Sequence, residues 1–118
     1  MILVDSSVWV DHLRKKDRQL SLLLQEGKVL CHPFVLGELA LGQMKNRTEI
    51  LAHLTALPRT RSASHREVLH LIHHKKLHGR GIGWVDAHLL ASALISHCRL
   101  WTRDRALRSL VAEFDLAP

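Results

Sequence analysis

Short apolar runs that do not alternate with polar residues, set between helix-patterned segments, constrain this chain more than any other feature. The clearest is Met1–Val4, MILV, four apolar residues in succession. A strand that is apolar at neighbouring positions must be covered on both faces, as in a parallel sheet with helices on either side. Lys28–Cys31 and Arg99–Thr102 read as two further short strands. Weaker strand signals fall near residues 57–61, where Leu57-Pro58 breaks the pattern, and at Phe114–Leu116. Strands alternating with helices predict an α/β fold built on a short parallel sheet.

The segments between these strands carry helical spacing. Asp5-Ser6-Ser7 supplies N-cap chemistry for a helix bearing Val8, Trp9 and Leu13. A second helix is expected from Asp17 to Glu26, with Leu20, Leu23 and Leu24 on one side and Gly27 as its stop. Pro33 suits a first helical turn, and the helix is expected to run through FVLGELALGQM to Met44. Asn46 is placed as the cap of another helix reaching Leu54. Ser64 starts a long amphipathic helix with Val68, Leu69, Leu71 and Ile72 as its apolar face. Gly79, Gly81 and Gly83 make a loop, WVDAHLLASALIS a helix, and Asp104 to Ala112 the last one. The stretch 33–78 exceeds what one crossover needs and is read as an embellishment beside the sheet.

At 118 residues the chain is read as one domain, residues 1–118. Its 47% apolar content supports a real core, which excludes disorder and low complexity as the main state. No apolar run reaches the ~18 residues of a membrane span, and MILVDSSVWV has no basic leader ahead of its apolar stretch. Cys31 and Cys98 form no framework and read as small buried hydrophobes. The expectation is a compact cytoplasmic protein. Its 17 Lys+Arg against 11 Asp+Glu, net +6, favours a polyanionic partner.

Ten of the eleven acids sort into two groups. Asp11 precedes Lys15 by four residues, Asp17 lies between Lys16 and Arg18, and Glu49 follows Lys45 by four. These, with Glu26, Glu113 and Asp115, read as solvated surface charges. Four others stand apart. Asp5 ends an apolar strand, and Asp104 follows the strand Arg99–Thr102 directly. Glu38 is the only charge from Pro33 to Met44, and Asp86 is the only Asp, Glu, Lys or Arg from Gly81 to Ser96. Asp5 and Asp104 also suit helix caps, and Asp86 suits a first helical turn. Glu38 has Phe34, Val35, Leu41 and Gly42 as helical neighbours and no Lys or Arg within a turn.

Sites in open α/β sheets form beyond the carboxyl ends of the strands. Four acids gathered there repel one another, and a divalent cation resolves that repulsion. With oxygen ligands alone the natural choice is Mg²⁺ or Mn²⁺. A carboxylate-held metal in a basic protein points to phosphodiester chemistry. The acidic quartet lacks a partnered Cys or Ser nucleophile, and Ser6 and Ser7 have no positioned His in the sequence, which disfavours a covalent enzyme intermediate.

MILVDSSVWVDHL, HPFVLGELALG, GWVDAHLLASALI and LWTRDRAL, in that order and spanning nearly the whole chain, resemble the PIN-domain ribonucleases, and within them the VapC toxins of bacterial toxin–antitoxin pairs. The resemblance implies a PIN-like three-layer α/β/α fold. It also implies a metal-dependent endoribonuclease acting on structured RNA, often tRNA, with a VapB-like antitoxin and a homodimeric state. By motif position Asp5, Glu38, Asp86 and Asp104 match the acidic metal site, and Ser6 and Thr102 match hydroxyl positions beside the first and last acids. The cut is expected to leave a 5′-phosphate and a 3′-hydroxyl. Many relatives follow the last Asp with another acid and Phe, where this chain has Arg105-Ala106-Leu107, so an extra ligand there is not carried over.

Lys and Arg cluster at 14–18, 59–66, 75–80 and 99–108. Arg103 and Arg105 flank Asp104 and are the expected phosphate contacts. Among ten histidines, His70, His74 and His78 are spaced by four, and a polar helix face is preferred to a zinc site because Lys75 and Lys76 adjoin them. His88 is expected to point away from Asp86. Trp101 is expected to be buried, and Trp9 is a candidate for a groove or dimer contact. Two other readings compete. One is a non-catalytic basic nucleic-acid-binding module with structural acids. The other is a phospho-acceptor receiver domain, which usually has paired acids after its first strand where this chain has Asp5-Ser6.

Overall fold

The structure is a computed structural model describing residues 1–118. Three strands, β1 (Ile2–Val4), β2 (Val29–Leu30) and β3 (Arg99–Trp101), form a parallel sheet in the order β2-β1-β3. Helices α1 (Ser6–Arg14) and α2 (Arg18–Gln25) connect β1 to β2. Helices α3 (Pro33–Leu41), α4 (Arg47–Ala56), α5 (His65–His74) and α6 (Trp84–Ser96) connect β2 to β3, and α7 (Arg105–Glu113) follows. Leu3 and Val4, on opposite faces of the central strand, are both wholly buried, so helices cover the sheet on both sides. This is the three-layer α/β/α arrangement that the unalternating MILV run predicts.

The core gathers Leu3, Val8, Leu20, Leu89, Leu100 and Leu107, each withdrawn fully from solvent. Each such side chain contributes about 1.5–3 kcal/mol relative to exposure. Two buried polar side chains are satisfied inside this core. His32 caps α3 by accepting the Phe34 N–H, and its other ring nitrogen lies 3.1 Å from Ser92 Oγ, which accepts the Ala63 N–H at 3.1 Å.

The weaker strand signals become edge covers instead of strands. Cys31 donates its N–H to Pro58 O at 2.9 Å, and Thr60 donates back to Cys31 O at 3.2 Å, a single bridge on the β2 side. Pro58 has no N–H to extend it. At the β3 side Leu100 N–H donates to Leu116 O at 3.0 Å, but Asp115 adopts φ 57°, which ends any extended run there. Two helices also end earlier than their patterns suggest. Gly42 is extended and closes α3 after Leu41, three residues short of Met44. Lys76, at φ 53°, ends the helical path beyond α5, so His78 shares no face with His70 and His74. Leu69 is 58% exposed and leaves the α5 apolar face to Val68, Leu71 and Ile72, because one residue beyond Val68 is a rotation of about 100°.

The register places the site. Val4 pairs with Trp101, so Asp5 and Thr102 leave the sheet side by side, and Asp5 N–H donates to Trp101 O at 2.9 Å. Helices α1, α3 and α7 all begin at this carboxyl edge, directly or one to three residues after β1, β2 and β3.

Candidate functional site

Asp5 is both a helix cap and the most closely held acid of the chain. It is buried at 4% exposure. Its Oδ1 accepts the Ser6 N–H at 2.8 Å, and its Oδ2 accepts the Ser7 and Thr102 hydroxyls at 2.7 and 2.8 Å. Asp104 caps α7, its Oδ2 accepting the Leu107 N–H at 2.9 Å. Thr102 Oγ1 links the two acids, since it also accepts the Asp104 N–H at 3.1 Å. Capping and a shared site are therefore compatible in both residues: each cap uses a backbone donor on one side of the carboxylate only.

Glu38 enters from the second turn of α3, and Asp86 from α6, which follows a loop and not a strand. Glu38 sits on α3, its Oε1 accepting the Ser6 hydroxyl at 3.1 Å. Asp86 sits in the first turn of α6 and accepts the Gly83 N–H at 3.2 Å. Both carboxyls are pushed above the usual carboxylate range. For Glu38 the causes are partial burial and then the charges of Asp5 and Asp86, against the lowering effect of Ser6. For Asp86 they are burial and then the charges of Asp5 and Asp104, against the Gly83 hydrogen bond. The fold thus brings the four separately located acids into one electrostatic neighbourhood.

None of the four is ion-paired to Lys, Arg or His. The donor set is anionic and oxygen-only, which is the chemistry a hard divalent cation selects. No three His, Cys, Asp or Glu side chains stand close enough together to form a ready-made cage. A cation would have to draw these carboxylates inward.

The hydroxyl positions extend beyond Ser6 and Thr102. Ser7 bonds Asp5, accepts the Arg103 N–H at 3.0 Å and lies 3.4 Å from Thr102 Oγ1. Its only sequence signal is adjacency to Ser6. Arg103 and Arg105 differ. The Arg103 guanidinium binds Asp11 at 2.5 Å and Asp17 at 2.7 Å and lies 5.8 Å over the Trp101 ring. Asp11 and Asp17, read as solvated charges, are instead the anchors of this arginine, and Asp17 also caps α2 through the Leu20 N–H. The Leu20 hydrogen bond and then Arg103 hold the Asp17 carboxyl below its usual range. Arg105 is exposed and makes no ion pair.

Trp9 is buried at 3% exposure, so it belongs to the core and not to a groove or dimer contact. The alternation of apolar positions on α1 turns it inward. Trp101 is half-buried and Trp84 is exposed. The histidines assemble in a way their spacing does not reveal. His70 and His74 stack, but the larger grouping joins His32, His65 and His88 around Phe34 and Trp84. Only the four-residue spacing Trp84–His88 hints at it in the sequence.

Residues 2–112 match the PIN domain family. The chain is 48% identical over 118 residues to "Ribonuclease VapC32" from two strains of Mycobacterium tuberculosis, CDC 1551 / Oshkosh and H37Rv, covering 99% of this chain and 95% of each relative. Its fold is similar to the crystal structure of PAE2754 from Pyrobaculum aerophilum, with a TM-score of 0.58 at 17% identity over 97% of this chain and 88% of that one. The acids at one sheet edge, the parallel three-stranded sheet and these likenesses agree, and the chain belongs to the PIN-domain family as a VapC-like member.

Proposed function

We propose that this protein is a Mg²⁺- or Mn²⁺-dependent endoribonuclease, the toxin of a toxin–antitoxin pair, hydrolysing phosphodiester bonds of structured RNA such as tRNA or rRNA. What supports the reading is Asp5 and Asp104 at the carboxyl ends of β1 and β3, joined through Thr102 Oγ1, with Glu38 reached by the Ser6 hydroxyl and none of Asp5, Glu38, Asp86 and Asp104 in an ion pair. The relatives named as ribonucleases support the substrate class.

In this reading the four carboxylates hold the cation and are the catalytic residues. When bound, a divalent cation lowers the pKa of a coordinated water and offsets charge on the scissile phosphate. The chain's own part is preorganisation. Ser7 and Thr102 fix Asp5 Oδ2, while Ser6 reaches Glu38 with its hydroxyl and Asp5 with its N–H. Rigid placement of this kind lets charge stabilisation act without reorganisation at the moment of reaction. Arg105, exposed and without an ionic partner, is the phosphate contact of this reading, whereas the Arg103 guanidinium is engaged by Asp11 and Asp17.

A VapB-like antitoxin is the proposed protein partner. An open groove between α1, α3 and α4, lined by Val10, Leu13, Glu38, Leu41 and Met44, joins apolar surface to one of the acids, and Leu41 in it is 90% exposed. A homodimer acting in the cytoplasm completes the proposal; no helix of the structure is long and apolar enough to cross a membrane.

The test is incubation of the purified protein with total RNA in Mg²⁺ or in excess EDTA, followed by mapping of the ends. Cleavage in Mg²⁺ alone, leaving 5′-phosphate and 3′-hydroxyl ends and lost in Asp86→Asn, is the expected result. Cyclic-phosphate ends, or full cleavage in EDTA, would overturn it.

A further inference from the structure

The rings around α6 are arranged around one exposed aromatic face. Trp84, the first residue of α6, is 42% exposed although it is the largest side-chain type in the chain. It is not loose. The His88 ring, one turn on, meets it edge-on with centroids 4.7 Å apart, and the His65 ring lies beside it at 5.5 Å and 39°. His65 and His88 share a hydrogen bond of 2.9 Å between ring nitrogens. His88 is itself buried and packs against Phe34 at 4.6 Å. Phe34 in turn contacts His32, which is anchored to Ser92. An indole held against two neighbouring rings, with 42% of the residue still exposed, has lost much of the freedom that makes exposed side chains costly to order.

Its position matters as much as its rigidity. Phe34 and Glu38 are four residues apart on α3 and so neighbour each other on one face, about 6 Å along the axis. Trp84 and Asp86 share the first turn of α6. The charge of Asp86 acts on Glu38 across the space between these helices. The ring cluster thus adjoins the acids at this end of the sheet: Phe34 lies one helical turn from Glu38, and Trp84 stands two residues from Asp86 on a different side of α6.

Resting on the ribonuclease reading above, we propose that Trp84, braced by His65 and His88, is a stacking platform for an unpaired nucleobase of the RNA next to the scissile phosphate. Aromatic faces accept any base by stacking, so the platform selects for an unstacked, splayed-out nucleotide more than for its identity. This explains why the ring is exposed beside acids that would repel a polyanion: base stacking, not charge, holds the strand there. Structured RNA presents such bases in loops and bulges.

The experiment is a binding titration in EDTA, where the proposed cleavage is silent, with three short single-stranded RNAs of equal length: one of adenosines, one of uridines, and one abasic at its central positions. Wild type should quench in tryptophan fluorescence on binding the first two and bind the abasic strand more weakly. Trp84→Ala should lose the quench and about 5- to 150-fold in affinity for the strands with bases. It should bind the abasic strand as wild type does, so that its preference for bases disappears. Trp84→Phe should retain most of the preference, which a purely structural role for Trp84 would not predict. Equal preference for bases in wild type and Trp84→Ala would overturn the platform. Loss of this preference in a protein that never cleaves RNA would uphold the platform and remove the nuclease reading; cleavage by wild type with no role for Trp84 in base preference would do the reverse.

Discussion

Thr102 Oγ1 donates a 2.8 Å hydrogen bond to Asp5 Oδ2, tying the ends of β1 and β3 together across 97 positions of the chain. The same oxygen accepts the Asp104 N–H, so one threonine hydroxyl orders two of the four acids. Both Thr102 and Asp5 are buried, and water cannot replace this donor without opening the sheet edge.

Thr102→Val should therefore cost about 1.5–3 kcal/mol, the range for a hydrogen bond to a charged group, although valine matches threonine in shape. Urea unfolding measures it. RNA cleavage should fall with the same substitution because Asp5 is deprived of one orienting donor. Unchanged stability in Thr102→Val would show that the bond contributes nothing.

Neutralising the acids one at a time should give opposite signs. Glu38 and Asp86 carry raised pKa values, from burial and from neighbouring carboxylates, so ionisation of each opposes folding without a cation. Glu38→Gln and Asp86→Asn should raise the apo melting temperature while abolishing cleavage, Glu38→Gln by less because solvent screens its exposed carboxylate. Asp5→Asn should lower it, because an amide sets an NH₂ against the donors of Ser6, Ser7 or Thr102. A fall in all three variants, measured in EDTA, would show that repulsion is not the dominant force at this edge.

Stability should fall as pH drops from about 7 towards 4. Burial lowers the His32 pKa to about 4, from 6.5 when unfolded. Between those values the unfolded chain binds more protons, so acid favours unfolding, by up to about 3 kcal/mol for this residue. Its Nδ1 also accepts the Phe34 N–H, a bond that protonation at that nitrogen would break. His88 and His12, also lowered by burial, act in the same direction. Glu38 and Asp86 act oppositely, their raised values giving a contribution present at low pH and lost as pH rises through the folded pKa. Unfolding midpoints across this range, compared with His32→Asn, measure the balance. A flatter profile in the variant is expected; greater wild-type stability near pH 4.5 than at pH 7 would contradict the assignment.

Arg103 and Arg105 should separate in salt titrations of RNA binding. Removing one cation that meets a phosphate reduces the slope of log affinity against log salt by about 0.7 on a single strand. Arg105→Ala should show that reduction with normal stability. Arg103→Ala should show less of it and instead lose stability, since its guanidinium joins Asp11 and Asp17 across α1 and α2. Identical slopes for both variants would place the two arginines in the same role.

Much of this protein was legible in its residue order. The MILV run demanded a sheet covered on both faces, and Leu3 and Val4 are buried as that requires. Asp5, Glu38, Asp86 and Asp104 stood out because a carboxylate in apolar surroundings has no cheap local explanation. Caps at Asp5, Asp17, Ser64 and Asp104 were readable because a cap depends on residues within one turn of it. The tertiary structure alone decided the pairings between distant segments. Arg103 with Asp11 and Asp17, Ser7 with Thr102, and His65 with His88 have no trace in local spacing. The same holds for Trp9, which hydropathy placed equally well at a surface, and for residues 57–61 and 114–116, whose strand character stops at single edge contacts. Hydrophobic period and capping act over a few bonds and are written into neighbouring residues. Which side chains meet across the sheet edge depends on the path of the whole chain, and on a register in which Val4 stands opposite Trp101.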